Sequence, residues 1–259
     1  MEEALIDTTS RLFTPISLAE MEQVRLMNRI DTKYVTTPEN LLILLQSMQD
    51  DYFIQEVEGL RNSHYRTLYY DTDQLEMYMA HQDGRCMREK IRMRDYLDSH
   101  LTFLEVKDKN NKGRTSKKRI RFDGTDNLSN NPEALSFLHL YSHYNPHALK
   151  RQVENRFNRI TLVNKGLTER LTIDTDIHFR NLVTGIEQTL PQLVIIELKQ
   201  DGLCPSFAKE QLREMHIHPA GISKYCLGSI LTHPGIKYNR FKKKIRKIDK
   251  LTKVTPWIY

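Results

Sequence analysis

Residues 88–96 read REKIRMRDY, residues 103–109 read FLEVKDK, and residues 116–122 read SKKRIRF. In an extended strand successive side chains point to opposite faces. Arg92 and Arg94, then Glu105, Lys107 and Lys109, then Lys117, Arg119 and Arg121 each fall on one face. Ile91 and Met93, Leu104 and Val106, and Ile120 and Phe122 fall on the other. A half-buried strand ordinarily carries mixed charges on its wet face. Here that face is mostly of one sign. Cations set about 7 Å apart along a strand, and repeated on neighbouring strands, suit a row of phosphates. Between the second and third segments, DKNNKGRTS supplies the Asn and Gly of a hairpin turn, which makes that pair antiparallel.

The same reading extends along the chain. Strands are expected near residues 30–36, 66–71, 87–97, 101–109, 116–123, 154–163, 169–177 and 192–200. Arg170, Thr172, Asp174 and Asp176 share a face in RLTIDTDI, Glu197 and Lys199 share one in VIIELK, and NRFNRIT carries Arg156 and Arg159. Helices are expected over 17–28, where Ser17 and Glu20 form a capping box, from Pro38, and from Thr72 to Gly84. The fold class is therefore α+β: an eight-stranded antiparallel β-barrel with a cationic bore, surrounded by helices. Such a bore repels itself unless an anion fills it. Its few carboxylates suit a hard divalent cation carried with phosphate.

Composition bounds the rest. A chain of 259 residues fits one sizeable domain. The net charge is +6, but residues 237–259 hold nine Lys or Arg against Asp249, a net of +8, leaving −2 for residues 1–236. The body is not generally basic, so its cations are placed locally. We divide the chain into a domain over 1–236 and a basic C-terminal tail over 237–259, the latter suited to a polyanionic product or an anionic membrane surface. Three scattered cysteines, an acidic start and no long apolar run predict a cytoplasmic protein, with the tail as its means of docking at the inner face of a membrane or on a membrane protein.

Nine segments in order, RIDTKYV, TLYYDT, REKIRMRDY, FLEVKDK, SKKRIRF, NRFNRIT, RLTIDTDI, VIIELK and ISKYCLG, resemble the catalytic domain of the vacuolar transporter chaperone (VTC) complex and its bacterial stand-alone relatives. The resemblance spans roughly residues 25–232. It implies the triphosphate tunnel metalloenzyme (CYTH-like) fold. The activity it implies is an ATP-dependent polyphosphate polymerase using Mn2+ or Mg2+, with ATP, polyphosphate, pyrophosphate and triphosphate as ligands and no nucleic acid partner.

On that resemblance Lys33 is a phosphate-binding lysine of the first strand, Arg92 and Arg94 the RxR pair, and Lys107 the lysine of the E-x-K strand. Arg119 is the next cation, Arg159 and Arg170 the arginines of later strands, Glu197 the metal-binding glutamate, and Lys224 the lysine of the closing SKY motif. Arg92, Arg94, Lys107, Arg159 and Arg170 are assigned to catalysis, and Lys33, Arg88, Lys109, Lys117, Arg119, Arg121 and Lys224 to substrate binding. Two positions depart from the pattern: His81 and Gly221 stand where relatives carry Arg and Lys, with Arg85 or Arg88 as candidate substitutes.

Phosphoryl transfer needs alignment and charge stabilisation more than covalent help. A phosphate nucleophile is already anionic, so no general base is required. Two other functions fit less well. Hydrolysis of triphosphate belongs to relatives with E-x-E-x-K on the first strand, where this chain has Arg29, Asp31 and Lys33. A non-catalytic polyanion or RNA module would interleave its cations with exposed aromatics. There is no P-loop sequence. Glu105 is expected to pair with Lys107 and Lys109, and Asp174 and Asp176 to tune Arg170. His216 and His218 are read as surface or packing residues, Cys86 and Cys226 as buried thiols, and Tyr69 and Tyr70 as core.

Overall fold

The computed structural model describes residues 2–21, 24, 29–112, 114–123, 128–202 and 204–253. Its strands are β1 (Thr14–Ile16), β2 (Arg29–Thr36), β3 (Tyr52–Gln55), β4 (Ser63–Asp71), β5 (Arg88–Tyr96), β6 (Leu101–Lys109), β7 (Thr115–Arg121), β8 (Lys150–Asn164), β9 (Glu169–Asn181), β10 (Glu187–Leu190) and β11 (Val194–Asp201). The helices are α1 (Glu2–Ser10), α2 (Leu18–Met21), α3 (Pro38–Met48), α4 (Glu76–Gln82), α5 (Pro132–Tyr141), α6 (Phe207–Glu214), α7 (Lys224–Thr232) and α8 (Lys242–Thr252).

Eight strands pair antiparallel in the order β2, β11, β9, β8, β4, β5, β6, β7 and curl into a half-barrel. These are the eight strands expected from the alternating pattern. β10 adds to β9, and the short parallel pair β1 and β3 adds to β8. Among the described residues no backbone pairing joins β7 to β2, so the curl has an open seam. The register puts Arg92 beside Glu105, Glu105 beside Arg119, and Lys107 beside Lys90 and Lys117. On the far side it puts Glu197 between Lys33 and Thr172, and Lys199 beside Arg170. The alternation read in single strands thus becomes one continuous charged inner face.

The outer face is apolar and covered. α1, α3 and α6 pack Ile6, Leu41, Leu44, Leu45, Met48 and Leu212 against Ile160, Leu162, Leu171, Ile173, Ile196 and Leu198. α5 covers Leu68, Ile91, Met93, Leu104 and Val106 with Ala134, Phe137 and Leu138. Burying such side chains is worth about 1.5–3 kcal/mol each, which offsets the cost of gathering like charges on the inner face. Ser17 and Glu20 form the expected capping box, Ser17 N–H donating to Glu20 Oε2 at 2.8 Å and Glu20 N–H to Ser17 Oγ at 3.3 Å. The helix they cap is described only to Met21, and residues 22–23 and 25–28 of the longer expectation lie outside the described residues.

α7 enters the curl at one end. A side chain at Gly228 would come within 2.6 Å of Phe179 and 2.9 Å of Val153, so only glycine allows this close approach. Before α7, residues 219–223 form a strap: Ala220 N–H donates to Lys33 O at 2.6 Å on β2, and Lys90 Nζ on β5 donates to Ser223 Oγ at 3.1 Å. α8 is amphipathic and buries Ile245 and Ile248 with Phe241 and α7's Cys226 and Ile230. Its other side carries the exposed Lys242, Lys243 and Arg246. Among the described residues no helix is long and apolar enough to cross a membrane.

Candidate functional site

The inner face is most crowded where β5, β8 and α7 meet. Tyr65 and Phe157 stack with ring centroids 5.3 Å apart. Over them stand the guanidinium carbons of Arg94, 5.7 and 5.8 Å from the two centroids, and of Arg159, at 5.0 and 5.1 Å. Lys224 Nζ lies 4.4 Å from the Phe157 centroid. Ring faces are electron-rich, so they partly offset the repulsion among three converging cations. Arg92 lies two residues before Arg94 on the same face, and both are 7% exposed.

Carboxylates hold this group together. Arg159 grips Asp174 with Nε at 2.5 Å and Nη2 at 2.8 Å, and Lys224 donates to the same carboxylate. Arg92 donates to Glu105 from Nε at 2.7 Å, and Lys117 contacts the other carboxylate oxygen. Burial alone would raise the pKa of Asp174 and Glu105, but Arg159 and Lys224, and Arg92, Arg94 and Lys117, outweigh it and hold both far below the usual carboxylate range. They are therefore ionised at any working pH. The expectations for these residues need correction. Glu105 pairs with Arg92 and Lys117 rather than Lys107 and Lys109, because cross-strand register and not position along one strand chooses its neighbours. Asp174 serves Arg159 and Lys224 rather than Arg170, and Asp176 is exposed, with φ at +47°.

The lysines register the excess of positive charge. Lys224 and Lys117 are each brought down to about 8, by burial first and only partly countered by Asp174 and Glu105 respectively. Lys107 falls well below its ordinary value because Arg92 stands beside it and because it is buried. Among the described residues Arg94 pairs with no carboxylate of its own, and it donates from Nε to Thr67 Oγ1 at 3.2 Å. Arg170 Nε and Thr172 Oγ1 are closed off from solvent without a hydrogen-bond partner. Buried groups left unsatisfied are costly, and a bound anion is the simplest partner for this set.

Glu197 faces the curl from β11, with Lys199 Nζ at 3.0 Å and Lys33 Nζ at 3.9 Å. Burial pushes its pKa up, but these two lysines outweigh it and keep the group ionised. Among the described residues no cluster of three His, Cys, Asp or Glu could hold a metal alone. The donor chemistry still fits a hard cation brought in with phosphate, because such ions take one or two carboxylates and fill their remaining positions with phosphate oxygens and water. His216 and His218 are exposed, as is Cys86, which was expected to be buried. Cys226, Tyr69 and Tyr70 are buried as expected.

The remaining predicted residues sort by depth. Arg119 is exposed on β7 with its guanidinium carbon 4.6 Å from the Phe103 centroid, and Arg121 turns to Asp123 at 3.3 Å, out at the rim. Arg88 and Lys109 sit side by side at the α4 end of the inner face. Sequence reasoning passed over Lys90, part-buried between Arg88 and Arg92 and also brought down to about 8 by burial. The signal was present, because positions 88, 90, 92 and 94 share one strand face. Lys199, which shares a strand face with Glu197, is that carboxylate's direct partner.

No curated protein matches the sequence. Solved structures with a similar fold include an adenylate cyclase candidate from Vibrio parahaemolyticus, 13% identical, covering 78% of this chain and 99% of that one with a TM-score of 0.44. A Pyrococcus horikoshii protein is 12% identical over 77% of this chain and 97% of its own, with a TM-score of 0.44. An adenylyl cyclase candidate from Hippeastrum, described as having a dominant triphosphatase activity, is 13% identical over 77% and 94%, with a TM-score of 0.45. The model of the VTC domain matches residues 28–233, which takes in β2 through α7 and all the inner-face strands. The chain belongs to the VTC domain family.

Proposed function

We propose that this chain is an ATP-dependent polyphosphate polymerase that works on the inner face of its curled sheet. The observation that carries the reading is the gathering of the buried Arg92 and Arg94 and the half-buried Arg159, Lys107 and Lys224 on one surface whose carboxylates, Glu105 and Asp174, are too few to neutralise them. A surface of this kind is complementary to a chain of phosphates and to little else.

The terminal oxygen of a polyphosphate or orthophosphate attacks the γ-phosphorus of ATP. A new P–O bond forms there, the bond to the β,γ-bridging oxygen breaks, and ADP leaves with those electrons. Arg92, Arg94 and Arg159, held by Glu105, Thr67 and Asp174, orient the γ-phosphate and stabilise charge on its equatorial oxygens. Lys224 and Lys107 add charge from either side. Arg170 and Lys33 hold flanking phosphates, and Lys117 and Arg119 line the β7 side. A divalent cation, Mn2+ or Mg2+, held by Glu197 together with phosphate oxygens, would supply further neutralisation of the triphosphate.

Transfer to phosphate is favoured over hydrolysis by the state of the carboxylates. Glu105, Asp174 and Glu197 are each tied to two cations and held strongly acidic, which makes them poor bases for activating water. An anionic phosphate nucleophile needs no such base. The test is incubation with ATP and Mn2+, followed by gel staining for polyphosphate. A polymer ladder is the expected result. Release of orthophosphate alone would assign the site to the triphosphatase reading instead.

A further inference from the structure

The inner face does not end at the reacting cluster. From Arg94 back to Arg88 is six residues along β5, about 20 Å at ~3.3 Å per residue, too far for one triphosphate to touch both. At this far end Arg88 stands beside Lys109 on the neighbouring strand, and Lys90 is one step inward. α4 supplies His81. Its ring feels Lys90, Arg88, Lys109 and Lys244, and its Nε2 is shut off from solvent without a partner. Arg88 Nε is likewise buried and unpartnered. Burial and those four cations bring His81 down to about 2, so it stands neutral and able to donate one ring N–H.

The basic C-terminal segment completes this end. Tyr78 of α4 donates to Lys237 O at 2.8 Å, Lys237 pairs with Asp83 at 3.3 Å, and the Arg240 guanidinium lies against Gly84. These contacts aim α8 so that Lys244 reaches over the strap and donates to Gly221 O, its Nζ 3.5 Å from where a Cβ at Gly221 would stand. Among the described residues no carboxylate pairs with Arg88, Lys90, Lys109 or Lys244; the nearby Asp83 is already taken by Lys237.

We propose that Arg88, Lys109, His81 and Lys244 form a second phosphate station at the α4–α8 end of the inner face, and that it holds a segment of the polyphosphate chain while Arg92, Arg94 and Arg159 hold the reacting group. The inference rests on the polyphosphate reading of the site. It makes Lys244 a binding residue and α8 part of the channel wall.

The test compares binding of tripolyphosphate and of a long inorganic polyphosphate by calorimetry, for the full chain and for Lys244→Ala and Lys244→Gln. Lys250→Ala, an exposed charge elsewhere on α8, is the control. Loss of one charge-assisted contact should weaken the long polymer about tenfold while leaving tripolyphosphate within about twofold. The control should match wild type for both. A thermal scan of each variant confirms that it is folded, and Lys244→Gln keeps the aliphatic packing if Lys244→Ala does not. Equal losses for both ligands, or none for the polymer, would overturn the proposal, as would failure of the wild-type chain to bind the polymer. If the length-dependent loss is seen but ATP yields no polymer, the second station stands and the polymerase reading falls.

Discussion

Lys224, at the first turn of α7, and Arg159, in the middle of β8, hold the same carboxylate, that of Asp174. Asp174 thus joins a helix to a sheet by neutralising one charge of two. Replacing it by Asn leaves both cations buried without a counter-ion. Breaking a buried ion pair in this way costs about 3–5 kcal/mol. In urea titrations Asp174→Asn should lose stability of that order in the free protein and recover much of it when saturated with tripolyphosphate, which supplies the missing negative charge. Equal losses with and without the ligand would show that Asp174 serves packing alone.

In the proposed mechanism Arg92→Ala and Arg94→Ala each remove a guanidinium that meets charge developing on the transferred phosphate. Loss of one such contact lowers the rate by a factor of several hundred, about 3 kcal/mol. Initial rates of ADP formation with polyphosphate as acceptor should show this. Glu197→Gln should fall below about a tenth of the wild-type rate for want of a hard ligand for the metal. A Glu197→Gln protein above that level would remove Glu197 from metal binding.

Lys90, Lys117 and Lys224 each titrate near 8 in the folded protein, against 10.5 ordinarily, with burial the leading cause. Between these limits the unfolded chain holds more protons, so stability rises with pH. Below about pH 8 the lysines are charged in both states and their mutual penalty is fully present. Above about pH 10 the buried Tyr52, Tyr78 and Tyr225, whose hydroxyls are raised by burial, pull in the opposite sense. Melting temperatures of the ligand-free protein should therefore climb between pH 8 and pH 10. With tripolyphosphate bound the lysines stay protonated and the climb should flatten. A ligand-free profile that falls across this interval would contradict the account.

If, as proposed, a phosphate chain binds the folded inner face and not the unfolded chain, it should raise the melting temperature by mass action. At a concentration of 100 Kd the gain is about 2.7 kcal/mol. Salt should reduce that gain, most strongly for the exposed cations of β7. A melting curve unmoved by saturating triphosphate would mean that the inner face does not take up phosphate.

The cationic strands of the curl were legible because they carry a period-two pattern, as in Arg88, Lys90, Arg92 and Arg94 against Ile91 and Met93. β1, β3 and β10, of three or four residues, are too short to show any period. α7 escaped notice for the opposite reason. KYCLGSILT is buried on nearly every side, so it has no polar stripe to mark it as a helix. The site was half legible. Which residues share the inner face follows from alternation within a strand, whereas the pairing of Glu105 with Lys117, or of Asp174 with Lys224, depends on register and on a helix folding back from fifty residues away, which no local pattern records.

β7 is the last strand of the curl, and among the described residues its far edge pairs with nothing. A bare edge is a template on which another chain can add a strand. Lys117, Lys118, Arg119 and Arg121, close-set on this one short strand, make it a poor template, since a second copy would bring the same charges into opposition. The charges of this strand therefore also discourage a second copy from adding to the edge. On the polyphosphate reading, a bound polyanion would screen them and relax that guard, coupling solubility to occupancy of the inner face through a single strand.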